Sequence, residues 1–595
     1  MVRPVPNLID KEFESFANEV SCFNVISFPY AERCEFVNNT PKCTDQMHLL
    51  TYMYLMTCKI GVRNKFEECV FVTLCIAFCF ELLLMLAYTA DIYFSPALRA
   101  VSRYLHMNEH LAGVTILAFG NTSPDVLVNL AEVKASKAVF ANSMASSIFV
   151  TMFTGGLVCY LSPFRMNAHA TVRDILFIML GVVLIEYVLK QDYKVDIFEC
   201  MVLVMLYISY LLVNMLDLYM MRRTIKAIEK KIEDLRNQPF SFPRRRKRRM
   251  YERQLNEMLN DFEIDVKTKG KRRGERVSGR RSIDPTTTRN IKYDAANSKN
   301  VNLFREAWQA VKPINMDEWR RYGIFWRSYL LVKAPVVGVC ALFLPLVNHE
   351  VDKHGWCKLL NCIQLFTTPS LIFLMGMGYY DRSRNIWYLE IDMTYVPYIL
   401  PLLPLSLIIF LHSRTDIPPY YHFIFTYLNV AGSMFIIYVC ATEIDKIFDL
   451  IGTVLDISED FMGVTLSCAC GALGDLVTNA ALALQGYEKM AFAATLGGPF
   501  FNLLIGTGST FLGRIYFGLE VEWEEQIGEY GNNCIIFLLL GLSTTLLWSS
   551  VLDFRARRSM GIFNILVYAL FVLFNVLAEN SIVHSYANDI YLEVI

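Results

Sequence analysis

The chain has few charged residues for its length. Of its 595 residues, 19% are Asp, Glu, Lys or Arg, whereas 54% are hydrophobic, and the formal net charge is −1. Soluble globular proteins carry about 25% charged residues. The near-zero net charge gives no general attraction to nucleic acid. Most of the chain is therefore expected to lie in lipid, and no nucleic-acid partner is expected.

The sequence also lacks the short motifs of catalysis. It contains no dinucleotide-binding glycine loop, no nucleophile elbow and no Cys/His set with zinc spacing. We therefore expect neither an enzyme nor a bound cofactor. The first twenty residues have no apolar core like that of a secretory signal, and they contain too many acids for a mitochondrial presequence. No targeting signal is readable there.

Cysteines are concentrated before the first apolar run. Cys22, Cys34, Cys43 and Cys58 lie there, together with the glycosylation-type triplet that begins at Asn38. These features indicate an oxidising, non-cytosolic side of a membrane. The spacing leaves open whether the four cysteines form disulfides or remain thiols.

Long apolar runs recur along the rest of the chain. A helix needs about 20 apolar residues to cross the hydrocarbon core. Twelve runs predict spans, near 69–92, 110–133, 137–162, 173–190, 196–220, 359–380, 395–412, 421–441, 460–485, 489–516, 533–552 and 560–578. The run 334–347 is too short and contains Pro335 and Pro345. It predicts an interfacial or re-entrant helix.

A basic segment at 221–330 separates the two groups of spans. It contains the run Arg244–Arg249, which the positive-inside tendency places on a cytosol-like or matrix-like face. We expect that run to attract anionic lipid headgroups, and Ser282 follows two arginines in the manner of a kinase site. The predicted divisions are 1–68 (non-cytosolic), 69–220 (first repeat), 221–330 (basic loop), 331–412 (extra membrane segments) and 413–595 (second repeat).

The two groups of spans are related by duplication. A shift of 350 residues superimposes the ungapped segments 105–131 and 455–481 with eight identities, among them Asp125 on Asp475 and Asn129 on Asn479. Paired halves of this kind are typical of secondary transporters. Inverted halves require an even number of crossings between the basic loop and the first span of the second repeat, which again predicts that 334–347 does not cross.

Each repeat carries a polar, glycine-containing motif in the middle of a predicted span. The motifs are Gly120–Asp125 and Gly471–Asp475. Broken helices in membranes expose backbone carbonyls only where these line a cavity or are buried in protein. Two carboxylates surrounded by amide, hydroxyl and carbonyl oxygens suit Ca²⁺, which takes 6–8 oxygen ligands. We expect both helices to break at these motifs and to form one ion site.

The motifs LAGVTILAFGNTSPD and GVT…GD…GGPFFN resemble those of the cation/calcium exchanger superfamily, and the whole chain resembles its mitochondrial-type sodium/calcium (lithium) exchanger branch. The resemblance implies an all-α polytopic membrane protein with two inverted five-helix repeats. Two to three extra membrane segments would lie between the halves. It also implies alternating access at an ion site in the middle of the membrane.

The resemblance further implies which residues bind the ions. These are Asn121, Thr122, Asp125, Ser146, Asp475 and Asn502, and the carbonyl of Gly471 remains available although its side chain is lost. The second motif has Gly471 and Ala472 where the branch usually has Asn and Ser, and Val150 replaces a ligand found in other relatives. We therefore expect Asp125 to keep an intact set of partners and Asp475 to lose some.

The function implied is sodium/calcium antiport. The alternatives are an exchanger coupled to protons or potassium, and a transport-poor paralogue that acts as a membrane regulator. The resemblance favours the mitochondrial inner membrane, whereas the Asn38 triplet leaves plasma or secretory membranes open. Four further acids in predicted spans rank below the motif carboxylates as functional candidates: Glu81, Glu186, Glu199 and Glu443. We expect Glu199 and Glu443 to lie near helix ends, at the membrane interface.

Overall fold

The architecture was obtained from a computed structural model. It describes residues 22–40, 43, 50–105, 107–131, 139–191, 195–236, 246–255, 299–300, 302–314, 316–348, 352–380, 396–519, 521 and 526–584. Most of the basic loop, including Ser282, lies outside these residues, as do Arg244 and Arg245.

Helices dominate the described chain, because a backbone inside lipid must satisfy its own hydrogen bonds. The first repeat contains α1 (Lys65–Ser102), α2 (the consecutive segments Glu109–Ala112, Gly113–Leu117 and Ala118–Ala131), α3 (Val139–Leu161), α4 (Ala168–Gln191) and α5 (Ile197–Arg236). The second contains α9 (His422–Val454), α10 (Asp460–Gln485), α11 (Glu488–Tyr516), α12 (Gly531–Val551) and α13 (Arg558–Glu579). Between them lie α6 (Ile324–Phe343), α7 (Lys358–Tyr380) and α8 (Leu402–His412).

Short elements complete the described structure. They include the helices Cys22–Ser27, Arg33–Asn39, Tyr52–Tyr54, Leu55–Ile60, Leu303–Val311, Met316–Arg321, Asp352–Gly355 and Val396–Ile399, and the strands β1 (Phe164–Arg165) and β2 (Arg555–Ala556). The two strands pair antiparallel and join the α3–α4 turn to the α12–α13 turn. Ten of the described helices are long and apolar enough to cross a membrane: α1, α3, α5, α6, α7 (within Lys353–Met375) and α9 to α13. The prediction of an all-α polytopic membrane protein is confirmed.

The two repeats run in opposite directions. A Cβ on Gly497 would lie 2.7 Å from Cα of Val114, and one on Gly506 would lie 3.2 Å from Cγ2 of Val126, so α11 runs parallel to α2. Helices α10 and α11 are joined by the tight turn at Gly486 and therefore run antiparallel to each other. Because α2 and α10 are equivalent in the duplication, the repeats are inverted, as predicted.

Helix α6 differs from the prediction in its bounds. It begins at Ile324 and ends at Phe343, so it has 20 residues rather than the short run expected at 334–347. Its length alone would allow it to cross. However, Lys353 after the helix forms a 2.8 Å ion pair with Glu306 before it. The segment from Glu306 to Lys353, which contains α6, therefore begins and ends on one side and makes no net crossing. The predicted bounds were wrong, and the prediction that α6 itself does not cross stays a prediction.

Helices α7 and α8 provide the paired crossings that inversion requires. The Lys358 ammonium at the start of α7 donates a 2.8 Å hydrogen bond to the carbonyl of Ser413, just after α8. Trp356 also packs against His422 at the start of α9, with ring centroids 5.8 Å apart. Helix α7 therefore leaves this face and α8 returns to it. An even number of crossings separates the basic loop from α9.

The segment before α1 is held by two disulfides, Cys22–Cys43 and Cys34–Cys58. The sequence left open whether these four cysteines form disulfides or remain thiols, and in the structure all four are disulfide-bonded. Arg33 is buried and forms a 3.2 Å ion pair with Glu68 in the first turn of α1. The disulfide-bonded segment is thereby attached to the beginning of α1 in the first repeat.

Candidate functional site

Four helices bring the predicted site residues together: α2, α3, α10 and α11. Helix α2 supplies Asn121, Thr122 and Asp125, α3 supplies Ser146, α10 supplies Gly471 and Asp475, and α11 supplies Asn502. Asn121, Thr122, Ser146, Asp475 and Asn502 are buried, each with 6% or less of its surface exposed, whereas Asp125 is partly exposed. The duplication thus places both motifs at one buried location.

The Asp125 carboxylate lies against the second motif. A Cβ on Gly471 would be 3.2 Å from Oδ1 of Asp125 and 3.8 Å from Oδ2. Ser146 of α3 faces the same carboxylate, which is close enough to Asp475 for their charges to interact. The lack of a side chain at Gly471 therefore makes room for Asp125.

The Asp475 carboxylate lies among side chains of both motifs. Asn121 and Asn479 face it, without reaching hydrogen-bond geometry. A Cβ on Gly498 would lie 2.9 Å from Oγ1 of Thr122 and 3.7 Å from Oδ1 of Asp475. This glycine therefore allows a hydroxyl of the first repeat to approach a carboxylate of the second.

The motifs exchange partners across the repeats, and this corrects one expectation. Asn121 serves Asp475, and its counterpart Gly471 stands beside Asp125. The loss of the amide at 471 therefore removes a partner from Asp125. The prediction from the sequence assigned that loss to Asp475, because it paired each carboxylate with the residues of its own motif.

The predicted helix breaks are half right. In α10, Ala472 separates two helical segments, Cys468–Gly471 and Leu473–Gln485. In α2, the segment Ala118–Ala131 runs through the first motif unbroken, so the break expected there was wrong. Pro124 has no N–H to donate to the Gly120 carbonyl, and that carbonyl accepts a 3.3 Å hydrogen bond from the Ser123 hydroxyl instead.

A second irregularity is shared by the repeats. Gly113–Leu117 and Gly463–Ser467 are both π-helical, and they are 350 residues apart. The companion helices have π-helical segments too, at Phe149–Thr154 and Asn502–Gly506. Such segments are rare and occur frequently at functional sites. These segments were not predicted from the sequence, although the repeated Gly-Val-Thr marks two of them.

Many buried polar atoms at or next to the site have no hydrogen-bond partner in the part of the chain that the structure describes. They include both amide atoms of Asn121 and Asn479, Oγ1 of Thr122 and of Thr478, Oδ1 of Asp475 and Oδ1 of Asn502. One such atom costs about 1–3 kcal/mol when it is unpaired. A cluster of unpaired oxygens beside two carboxylates matches the ligand preference of a hard cation such as Ca²⁺ or Na⁺.

Asn479 and Thr478 were absent from the predicted ligand set. The identity between Asn129 and Asn479 in the repeat was the signal that could have identified Asn479. Among the described residues, no group of three or more His, Cys, Asp or Glu side chains could hold a metal. Amide, hydroxyl and carbonyl oxygens are the other polar groups near the two carboxylates.

Three of the four lower-ranked acids have hydrogen-bond or ion-pair partners, whereas Oε2 of Glu81 is buried and has none among the described residues. Glu186 pairs with Lys190 at 2.6 Å, and Glu199 accepts a 2.9 Å hydrogen bond from the backbone N–H of Asp196. The expectation that Glu443 lies near a helix end was wrong. It is 1% exposed within α9 and accepts a 2.7 Å hydrogen bond from the Tyr52 hydroxyl.

Comparison with known proteins places this architecture in a family. The sodium/calcium exchanger protein family matches residues 75–216 and 425–577, which cover both repeats. The chain is 26% identical to the mitochondrial sodium/calcium exchanger protein of Homo sapiens, over 95% of this chain and 91% of that one. The protein of the same name in Caenorhabditis elegans is 24% identical, over 93% and 97% of the two chains.

A solved structure of the sodium-calcium exchanger NCX_Mj, soaked with 10 mM Na⁺ and zero Ca²⁺, is 14% identical and covers 84% of this chain and 99% of that chain. Its TM-score of 0.38 is too low to carry an argument. The family match over both repeats, the alignments along nearly the full chain and the paired motifs agree with one another. The chain belongs to the sodium/calcium exchanger protein family.

Proposed function

We propose that this protein is a sodium/calcium antiporter, in which Ca²⁺ crosses the membrane in exchange for Na⁺. The observation that supports this most strongly is the meeting of Asp125 and Asp475, from two inverted helices, among buried oxygens without hydrogen-bond partners. The names of the related proteins agree with this function.

The proposed ligands are Asn121, Thr122, Asp125, Ser146, Gly471, Asp475 and Asn502, to which the structure adds Asn479. The two carboxylates attract cations, and Asn121, Thr122 and Asn502 provide neutral oxygens near Asp475. Unpaired charge inside a membrane is costly. Occupancy by a cation therefore stabilises the site, and Na⁺ and Ca²⁺ exclude each other because they compete for the same oxygens.

Access to the site alternates between the two sides of the membrane. Inverted repeats allow this because each repeat can take the conformation of the other. The near-contact of α2 with α11 at Gly113, Gly497 and Gly506 gives these helices a surface without bulky side chains. Small residues of this kind permit close packing and sliding of helices in lipid.

We propose the mitochondrial inner membrane as the location, with the disulfide-bonded segment on the oxidising side. Two disulfides before α1 and the names of the relatives support this location. Imaging of tagged protein with inner-membrane markers tests it. A shift in mobility after glycosidase treatment would show that Asn38 is glycosylated in the secretory pathway, and would contradict the proposal.

The basic loop is proposed to contact anionic lipid headgroups on the opposite face. Helix α5 continues to Arg236, well beyond a span, and leads directly into that loop. A kinase acting at Ser282 would add about −1.5 to −2 charge and weaken this contact. Binding of the protein to vesicles with and without anionic lipid, before and after phosphorylation, tests both points.

Calcium flux in proteoliposomes tests the transport function. A sodium gradient is expected to drive Ca²⁺ movement in the native protein. Asp125→Asn and Asp475→Asn are each expected to reduce it roughly 100-fold or more, the scale of losing a buried charge partner. Glu186→Gln is the matched control, because that carboxylate pairs with Lys190 away from the site.

Replacement of Na⁺ by Li⁺, K⁺ or a pH gradient identifies the driving ion. Flux that persists with a pH gradient alone, without Na⁺, would contradict sodium coupling. Unchanged sodium-driven flux in both aspartate variants would contradict the assigned site.

A further inference from the structure

The two halves of the ion site differ in polarity. The half around Asp475 contains Asn121 and Thr122, and Asn502 lies four residues after Gly498, whose backbone approaches this carboxylate. Within the described part of the chain, each of these three side chains has a buried oxygen without a hydrogen-bond partner. Thr122 and Asn502 are 2% and 3% exposed. This half offers neutral oxygens to a cation in addition to the carboxylate.

Apolar side chains adjoin the half around Asp125, because Ala472 follows Gly471, whose backbone lies against that carboxylate. Phe149, Val150 and Ala472 form a buried cluster, with Ala472 1% and Val150 3% exposed. Four partly buried residues pack against it: Phe153, Ala469, Leu476 and Tyr568. The Phe149 ring lies 5.2 Å from that of Phe153 and 5.4 Å from that of Tyr568.

The polar and apolar residues occupy equivalent positions in the two repeats. Asn121 corresponds to Gly471 and Thr122 to Ala472, each 350 residues later. In the companion helices, Ser146 faces Asp125 and Gly498 approaches Asp475. Val150 lies four residues after Ser146, and Asn502 lies four residues after Gly498. Val150 and Asn502 therefore occupy equivalent positions in the two repeats. The apolar cluster thus stands where a second polar half-site would be.

We propose that the half around Asp475 supplies most of the neutral oxygens that coordinate the cargo, beside the two carboxylates, and that two Na⁺ exchange for one Ca²⁺ without net movement of charge. This inference rests on the proposed antiport. Asp125 and Asp475 carry two negative charges, which one Ca²⁺ or two Na⁺ neutralise. A third Na⁺ would need further oxygens, and at the mirrored position the chain has Ala472 and Val150.

A third carboxylate near Asp125 does not change this balance at the buried site. Asp445 of α9 lies close enough to interact with Asp125. The Lys446 ammonium lies 3.7 Å from Asp445 and 2.8 Å from Asp449. The side chains of Asp445 and Asp449 are 22% and 25% exposed, so both carboxylates are stabilised by Lys446 and by solvent, although Oδ1 of Asp445 is itself buried.

The equilibrium calcium gradient tests this stoichiometry directly. Proteoliposomes with a fixed sodium gradient are clamped at different voltages with valinomycin and K⁺, and the final calcium ratio is measured. We expect the ratio to stay the same at all voltages. Movement of one net charge per cycle would shift it roughly 50-fold per 100 mV, and a shift of that size would overturn the proposal.

The same vesicles separate this proposal from the proposed function. If calcium does not respond to the sodium gradient at any voltage, the antiport itself is wrong, and the inference fails with it. A gradient that responds to sodium and to voltage leaves the antiport intact and overturns only the stoichiometry.

The double variant Val150→Asn/Ala472→Thr tests the role of the apolar cluster. It places in the Asp125 half the side chains that occur at the equivalent positions of the Asp475 half. We expect it to raise the Hill coefficient for Na⁺ above that of the native protein and to make the calcium ratio depend on voltage. If a monodisperse variant keeps the native Hill coefficient for Na⁺, the apolar cluster does not limit the number of Na⁺ ions that bind. The native-protein gradient tests the stoichiometry even if the variant does not fold.

Discussion

Gly471 and Asp125 come from different repeats, yet the backbone of one lies directly against the carboxylate of the other. A Cβ on Gly471 would be 3.2 Å from Oδ1 of Asp125, closer than an ordinary van der Waals contact. The glycine therefore does two things at once. It removes a side-chain ligand from the second motif, and it creates the space that the first-motif carboxylate occupies.

Substitution Gly471→Ala is expected to lower sodium-driven calcium flux. The added methyl forces the carboxylate to move, and overpacking in a close-packed interior costs about 1–3 kcal/mol. We expect roughly a 10-fold loss of transport, measured in proteoliposomes at matched protein density. Gly338→Ala is the control, because a Cβ at that helical position meets nothing within 4 Å. Equal flux in the two variants would show that the contact at Asp125 has no role in transport.

Arg173 is predicted to stabilise the packing of α2, α4 and α5 against one another. Its guanidinium donates hydrogen bonds to Asp217 at 2.7 Å and to Asn214 at 2.6 Å, and it pairs with Asp174 at 3.1 Å. Asp174 is 1% exposed and also contacts His110 at 2.8 Å. Arg173→Ala leaves this carboxylate without its main counter-charge.

Breaking a buried ion pair on one side costs about 3–5 kcal/mol. We therefore expect Arg173→Ala to lower the apparent unfolding temperature in detergent clearly. Lys190→Ala, which breaks an exposed pair worth about 0.3–0.5 kcal/mol, should leave it almost unchanged. If the two variants unfold at the same temperature, the network around Arg173 is not a stabilising element.

The segment from Glu306 to Lys353 begins and ends on one face of the membrane. The loops before α6 and before α9 are therefore predicted to lie on the same side. Arg305, before α6, and Tyr420, before α9, are both exposed and belong to one face. We expect Arg305→Cys and Tyr420→Cys to react with an impermeant thiol reagent from the same side of sealed vesicles. Native Cys69, the exposed free thiol at the start of α1, should react from the other side. Labelling of 305 and 420 from opposite sides would mean that α6 crosses.

The sequence predicted most of the fold because hydrophobic length and duplication are strong signals. The 350-residue shift paired Asp125 with Asp475 and predicted inverted repeats, and both depend only on the order of residues. The bounds of α6 were harder to predict. Its apolar run continues among Arg327, Lys333 and three aromatic residues, so composition alone hides its beginning.

The internal arrangement of the site could not be predicted in the same way. Which carboxylate each motif residue serves depends on how α2 and α10 cross, and no local pattern records that crossing. The unbroken helix around Pro124 also depends on a contact that no sequence pattern records. The Ser123 hydroxyl donates a hydrogen bond to the Gly120 carbonyl, to which Pro124 cannot donate. The apolar cluster of Phe149, Val150 and Ala472 is assembled from both repeats, so it too becomes visible only in three dimensions.

Equilibrium binding of ⁴⁵Ca²⁺ to purified protein tests most directly whether Asp125 and Asp475 form one site. Two residues of a single site are strongly coupled, so their substitutions are not additive. We predict that Asp125→Asn, Asp475→Asn and the double variant all lose binding to a similar extent, whereas Glu186→Gln binds like the native protein. Native affinity in either single aspartate variant, or a double variant whose loss is the sum of two independent losses, would contradict a shared site.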